Sequence, residues 1–234
     1  MTADATRLRT LLDSGTPLNW VLTGDSITHG LIHTQGARTY AEHLHELIRG
    51  DMARTQDVLI NTAISGWRMV QLLEDFDRRV ATWRPQVVTL MIGTNDCSTT
   101  GALGTIEASE FGASVTEFVR RVRDLGGVPV LQTPPTIDPL NAPERARIGE
   151  FVQAIRDVAT AQDTLLVDQF ARFAAAGAEK VNGVPWALMG DPFHPNAAGH
   201  ALLALGLAEA LGLDAGPERD RVLTGLRAQV HAAR

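Results

Sequence analysis

Trp20-Val21-Leu22-Thr23-Gly24-Asp25-Ser26-Ile27-Thr28 sets the reading of the whole chain. A short apolar run ends in Thr-Gly, and a serine stands two residues beyond the glycine. Four more runs end in the same manner. Val58-Leu59-Ile60 leads into Asn61, Val87 to Ile92 into Gly93, Val128 to Leu131 into Gln132-Thr133-Pro134, and Leu165-Leu166-Val167 into Asp168. Each run is short, rich in β-branched residues or leucine, and continuous rather than alternating. That pattern belongs to a strand covered on both faces. Amphipathic segments at about 39–49, 68–82, 108–125, 143–162, 196–211 and 218–231 predict helices between and after them. The alternation of strand and helix predicts an α/β fold, a parallel sheet with helices packed on it. No repeat, linker or shift of composition marks a second domain. One domain over residues 1–234 is expected, with its core at about 18–210 and a C-terminal helix over 218–231.

Composition excludes several classes. With 44% hydrophobic and 21% charged residues, the 234-residue chain can bury a substantial core and does not read as disordered. Its net charge of −6 comes from interspersed acids and bases, and no basic cluster is dense enough for nucleic acid. One cysteine, Cys97, rules out an internal disulfide. The polar start Met1-Thr2-Ala3-Asp4 lacks the features of a signal peptide, and no apolar run is long enough to span a bilayer. A cytoplasmic protein that does not insert into membranes is expected.

In open sheets of this class, ligands bind at the carboxyl ends of the strands. Ser26, Gly66 and Asn95 all lie just after predicted strands. A serine hydroxyl is a poor nucleophile until a base takes its proton. His194, in Asp191-Pro192-Phe193-His194-Pro195, is a candidate base in a rigid turn before a helix. Asp191, three residues earlier, is close enough to orient the imidazole and stabilise its protonated form. The bland alternatives are a helix N-cap for Ser26 and Asx-turn chemistry for Asp191. Gly66 can offer an unobstructed backbone N–H, Asn95 a side-chain amide, and Ser26 its own N–H to a developing oxyanion.

Gly24-Asp25-Ser26-Ile27-Thr28, Ser65-Gly66, Gly93-Thr94-Asn95-Asp96 and Asp191-Pro192-Phe193-His194-Pro195 together resemble the four blocks of the SGNH, or GDSL-type, hydrolase family over residues 18–210. The resemblance implies a three-layer α/β/α sandwich like flavodoxin, with about five parallel strands. It also implies ester hydrolysis through an acyl-serine. Ser26, Asp191 and His194 would be catalytic, and Ser26, Gly66 and Asn95 would form the oxyanion hole. No metal or organic cofactor is implied. The implied partner is a small-molecule ester, with acetyl the favoured acyl group. The same site would serve an acyltransferase, a thioesterase or a lysophospholipase, and a non-catalytic carbohydrate- or lipid-binding module is the alternative of another class.

The remaining candidates read as structural. Asp25 and Asp96 would hold loops by accepting backbone hydrogen bonds, with Asn61 as support. His29 and His33 read as polar loop residues near the mouth, since a zinc site needs more clustered ligands. His43 and His45 read as surface residues and Cys97 as a small buried filler. The proline-rich stretch from Thr133 to Pro143 would shape the substrate mouth. One or two of Tyr40, Trp67, Trp186, Met189 and Phe193 would line the pocket. The apolar stripe Val222, Leu223, Leu226 and Val230 would pack on the domain or on a partner subunit, which leaves a homo-oligomer open.

Overall fold

The computed structural model describes residues 2–177, 179–216 and 218–233; Met1, Ala178, Pro217 and Arg234, which fall within the domain expected over 1–234, lie outside the described residues. Helix α1 (Ala3–Asp13) precedes strand β1 (Asn19–Gly24). The single turn α2 (Ser26–His29), α3 (Tyr40–Glu46), β2 (Val58–Asn61), α4 (Met69–Glu74), α5 (Phe76–Arg79) and β3 (Val87–Met91) follow. Next come α6 (Ala108–Asp124), β4 (Val128–Gln132), α7 (Ile148–Ala161), β5 (Leu165–Val167) and α8 (Gln169–Ala175). A small hairpin, β6 (Lys180–Val181) with β7 (Val184–Pro185), then leads to α9 (Ala197–Leu211) and α10 (Arg221–Ala232).

β1 to β5 form one parallel sheet in the order β2-β1-β3-β4-β5. That is the flavodoxin-like order. Successive side chains of a strand point to opposite faces, and both faces here are covered. Trp20 and Leu22 pack with Leu8, Leu44, Leu203 and Leu226 on one face. Val21 packs with Leu72, Phe118 and Phe151 on the other. Burial on both sides is why β1, β3 and β4 read as unbroken apolar runs, while the edge strands β2 and β5 are only partly buried. Leu223, Leu226 and Val230 of α10 join the first of these layers, so the tail helix packs on its own chain.

Strand order reverses between β1 and β3, which lie side by side with Gly24 level with Met91. The crevice at such a switch point is where this architecture binds ligands. Ser26 leaves β1 and Asn95 leaves β3 there.

The helices depart from expectation in four places. The segment 68–82 is not one helix but α4, α5 and a 3₁₀ turn over Ala81–Trp83. Asp75 (φ −102, ψ 20) and Val80 (φ −125, ψ −62) leave helical geometry between the pieces. In 143–162 the α-helix starts only at Ile148, after a separate 3₁₀ turn over Pro143–Arg145. Helices α1 and α8 were not anticipated. The stretch from Thr133 to Ala142 has no regular structure and is fastened by Asp138, whose carboxylate accepts from the Leu140 and Asn141 N–H groups and the Asn182 amide.

Candidate active site

β1 ends at Gly24 with φ +146, and a Cβ there would lie 1.9 Å from the Met91 carbonyl oxygen. Only glycine lets the ends of β1 and β3 approach so closely. The Asp25 N–H then donates to Met91 O at 3.3 Å, and the Asp25 carboxylate caps α2 by accepting the Ile27 N–H at 3.0 Å. Ser26 is the first residue of α2, where a helical N–H has no partner within its own helix. The bland and the functional readings of Ser26 therefore diverge: Asp25, not Ser26, is the cap.

β2 is tied to the same turn. Ile64 N donates to Gly24 O at 3.1 Å, and the Asn61 amide donates to Thr28 O at 2.7 Å. Gly66 follows with φ +82, in the left-handed region that favours glycine. The Asn95 amide donates to Trp67 O at 3.1 Å, which locks it beside Gly66 and leaves its second N–H over. Neither the Ser26 N–H nor the Gly66 N–H donates to an acceptor among the described residues.

The histidine comes from a strap rather than a strand. Asp191 Oδ1 accepts the N–H groups of Phe193 (3.0 Å) and His194 (2.8 Å), which closes an Asx turn. Its other oxygen, Oδ2, accepts from His194 Nδ1 at 2.7 Å. One oxygen of Asp191 thus closes the turn and the other meets the imidazole, the geometry each of its two readings in the sequence requires. A proton on Nδ1 leaves Nε2 as an acceptor, and Nε2 lies 2.8 Å from Ser26 Oγ. Both residues are buried, at 5% exposure each. Asn196 ends the strap by capping α9, accepting from Ala198 N and Gly199 N.

The electrostatics divide by element. Burial pushes Asp191 up, but the hydrogen bonds from the His194 ring and from the Phe193 and His194 N–H groups outweigh it and hold the carboxyl at about 2. Asp25 and Asp96 go the other way. Full burial raises Asp25 to about 7, opposed by the Ile27 N–H and assisted by the nearby Asp96. Burial also raises Asp96 to about 7, against the hydrogen bond from Met69 N at 2.7 Å and the charge of Arg68. Both hold loops through backbone N–H groups, as expected.

His33 occupies a place the sequence did not foretell. Its ring stacks on that of His194, with centroids 3.5 Å apart and planes at 12°. Its Nδ1 lies 3.7 Å from Asp191 Oδ2. The donor atoms of His33, Asp191 and His194 all lie within 4.8 Å of one another. A shared ion does not suit them. Imidazole binds metal in the ring plane at about 2.0–2.1 Å, and two parallel stacked rings aim their lone pairs alongside each other rather than at one point. Phe193 also touches the His194 ring (4.4 Å, 45°), and the Arg145 guanidinium lies 3.9 Å over the Phe193 ring.

A cleft of about 370 Å³ opens beside Gly66 and Asn95, walled by Arg68, Ser98, Leu103 and Arg145. Three larger clefts, of about 510, 440 and 390 Å³, are lined by none of Ser26, Gly66, Asn95, Asp191 or His194; the first two lie along α3 and α10 and the third beside Arg54 and Asp57. Of the aromatic and long residues near the motifs, Tyr40 is fully buried, Met189 is buried in the core, and Phe193 is the one that meets His194.

Comparison with known proteins settles the family. The profile of the GDSL-like lipase/acylhydrolase family matches residues 22–202. The chain belongs to that family. It is a carboxylic ester hydrolase with the α/β fold of its relatives. An acetylxylan esterase from Geobacillus stearothermophilus is 26% identical over 163 residues, 67% of this chain and 73% of that protein. A stretch of 86 residues is 35% identical to an uncharacterised protein of Mycoplasma pneumoniae, covering 36% of this chain but only 10% of that protein. Among solved structures, a catalytic mutant of the Geobacillus acetylxylan esterase superposes with a TM-score of 0.71 at 22% identity, covering 86% of this chain and 97% of that one. LAE5, an alpha/beta hydrolase from the metagenome of Lake Arreo in Spain, gives 0.72 at 25% identity, covering 85% and 98%. Among the described residues, no helix is long and apolar enough to cross a membrane.

Proposed function

We propose that this hydrolase cleaves small, short-chain carboxylic esters, acetyl esters first, through an acyl-serine at Ser26. One observation carries the reading: Ser26 Oγ, the His194 ring and Asp191 Oδ2 lie on one line of contacts at 2.8 and 2.7 Å. His194 Nε2 takes the Ser26 proton as Oγ attacks the acyl carbon. Asp191 stabilises the imidazolium that forms. The carbonyl oxygen gathers negative charge and is met by the Ser26 N–H, the Gly66 N–H and the Asn95 amide, donors fixed before the reaction begins. Collapse passes the His194 proton to the leaving alcohol and leaves the acyl group on Ser26. Water, deprotonated by His194, then releases the acid and restores the serine.

The preference for a short acyl group rests on two supports. The cleft beside the oxyanion donors is bounded by Arg68, Gln71, Ser98 and Thr100, with Ala102 and Leu103 its apolar side chains. Little apolar area is thus on hand for a long chain. A relative named as an acetylxylan esterase points the same way.

Wild type and Ser26→Ala are to be assayed on p-nitrophenyl esters from acetate to decanoate. Turnover is expected to fall steeply with chain length and to vanish in the variant. Turnover that rises with chain length, or that survives in Ser26→Ala, would overturn the proposal.

A further inference from the structure

We infer that His33 is a positioning residue for the reaction, a clamp that holds the His194 ring in its working orientation; this rests on the reading of Ser26 and His194 given above. The torsion that turns an imidazole about its Cβ–Cγ bond is broad and weakly restrained. Two hydrogen bonds, from Nδ1 to Asp191 and between Nε2 and Ser26, oppose that rotation at His194, and the second is given up once Ser26 carries an acyl group. At His194 the swing is blocked by a second ring lying flat on it, 3.5 Å away and 12° from parallel. The same His33 ring brings Nδ1 to 3.7 Å from Asp191 Oδ2, so it touches base and acid at once.

His33 covers a weak point. The Asp191 side chain is 37% exposed while that of His194 is 6% exposed, so water reaches the acid of the pair more readily than the base. The His33 side chain, at 24% exposure, lies against both. Its backbone is held as well. His33 lies in the 3₁₀ turn Ile32–Thr34, closed by the Gln35 N–H to Ile32 O and the Ala37 N–H to Thr34 O. Its carbonyl oxygen packs on Gly190, directly before Asp191. The turn leaves α2, the helix that begins with Ser26. One continuous segment thus delivers both the nucleophile and the clamp for the base.

The charge state suits the role. Burial lowers the His33 imidazole below its ordinary value, the neighbouring His194 lowers it further, and Asp191 opposes them. A neutral His33 lets His194 accept a proton without a like charge pressed to its face. The stacked face of a neutral ring also receives the imidazolium formed during attack.

Aromatic contact, not a proton, is what His33 supplies, and substitution separates the two. His33→Ala is expected to lower kcat about tenfold with KM within about twofold of wild type. His33→Phe, which keeps the ring and has no titratable nitrogen, is expected to restore kcat to within about threefold of wild type. Melting curves of both variants establish that each is folded at the assay temperature. An unchanged kcat in His33→Ala overturns the proposal, as does a His33→Phe variant as slow as His33→Ala, or a loss carried by KM alone. Labelling with a serine-reactive phosphonate runs in parallel. If the wild type is not labelled at Ser26, the reading of the site itself fails. If Ser26 is labelled and His33→Ala is as fast as wild type, only the clamp fails.

Discussion

The serine and the histidine that meet at 2.8 Å are held by opposite means. Residues 24–30, which carry Ser26, are built into the sheet. They bond to β3 through Asp25 N and to the β2 side through Gly24 O and Thr28 O. Behind them runs a buried polar chain. Thr28 Oγ1 meets the Tyr40 hydroxyl at 2.8 Å, the Gln132 amide donates to that hydroxyl at 3.4 Å, and the Gln169 amide donates to Gln132 Oε1 and Leu203 O. Residues 189–196, which carry His194, contain no strand and reach the core only through the Met189 and Phe193 side chains. They are held by Asp191, by the Asn196 cap, by the Asp138 N–H to Pro192 O at 2.8 Å, and by the His33 ring stacked on the histidine. The position of Ser26 follows from the fold. The position of His194 follows from a local turn. Damage to the first should appear as lost folding, and damage to the second as lost rate.

Gly24→Ala should produce the largest effect. A methyl group 1.9 Å from Met91 O cannot be accommodated without parting β1 from β3. The variant is expected to be insoluble or to lack a cooperative melting transition. A soluble variant that melts like wild type would show that the turn is not fixed by the sheet.

Asp191→Ala should leave the protein folded but lower kcat by about 10³–10⁴, because the ring loses its acceptor and its tautomer. Far-ultraviolet circular dichroism and kcat measured on one sample check this. A loss below tenfold would mean that His194 is aligned without Asp191.

The smallest effect is a difference in sign with pH. Asp25 and Asp96 are raised in the folded state, so between about pH 4 and 7 the native protein holds protons that the unfolded chain has released. Their contribution to stability is present at low pH and falls as pH rises through 7. Asp191 is lowered, so its contribution is present above about pH 4 and is lost as pH falls toward 2. Wild type is expected to melt about 3 °C or more lower at pH 8 than at pH 5.5, and Asp25→Asn to show a smaller drop. An equal drop in the two proteins would show that Asp25 does not titrate with folding.

The same contrast governs what the sequence discloses. All five sheet strands are legible as short apolar runs, unbroken in β1, β3 and β4 because both faces are buried and kept in the partly exposed edge strands β2 and β5 by their apolar composition, and Ser26 and Asn95 follow from the places where two of those runs stop. The strap is legible only through its residue types, since Asp-Pro-Phe-His-Pro serves an Asx turn as well as an active site. The break of 68–82 into α4 and α5 is invisible because no proline or glycine stands at Asp75 or Val80. Helix α8 spans only seven residues, too short to show a clear period. The His33 stack has no local signal at all. It joins residues from opposite ends of the chain, and only the folded backbone brings them together.

Rapid mixing of the enzyme with p-nitrophenyl acetate, followed by acid quench and peptide mass mapping, tests the central claim most directly. One acetyl group should appear transiently on the peptide carrying Ser26, and none should appear on Ser26→Ala. Acetyl transfer to a different residue, or turnover at full rate in Ser26→Ala, would contradict a reaction centred on Ser26 and His194.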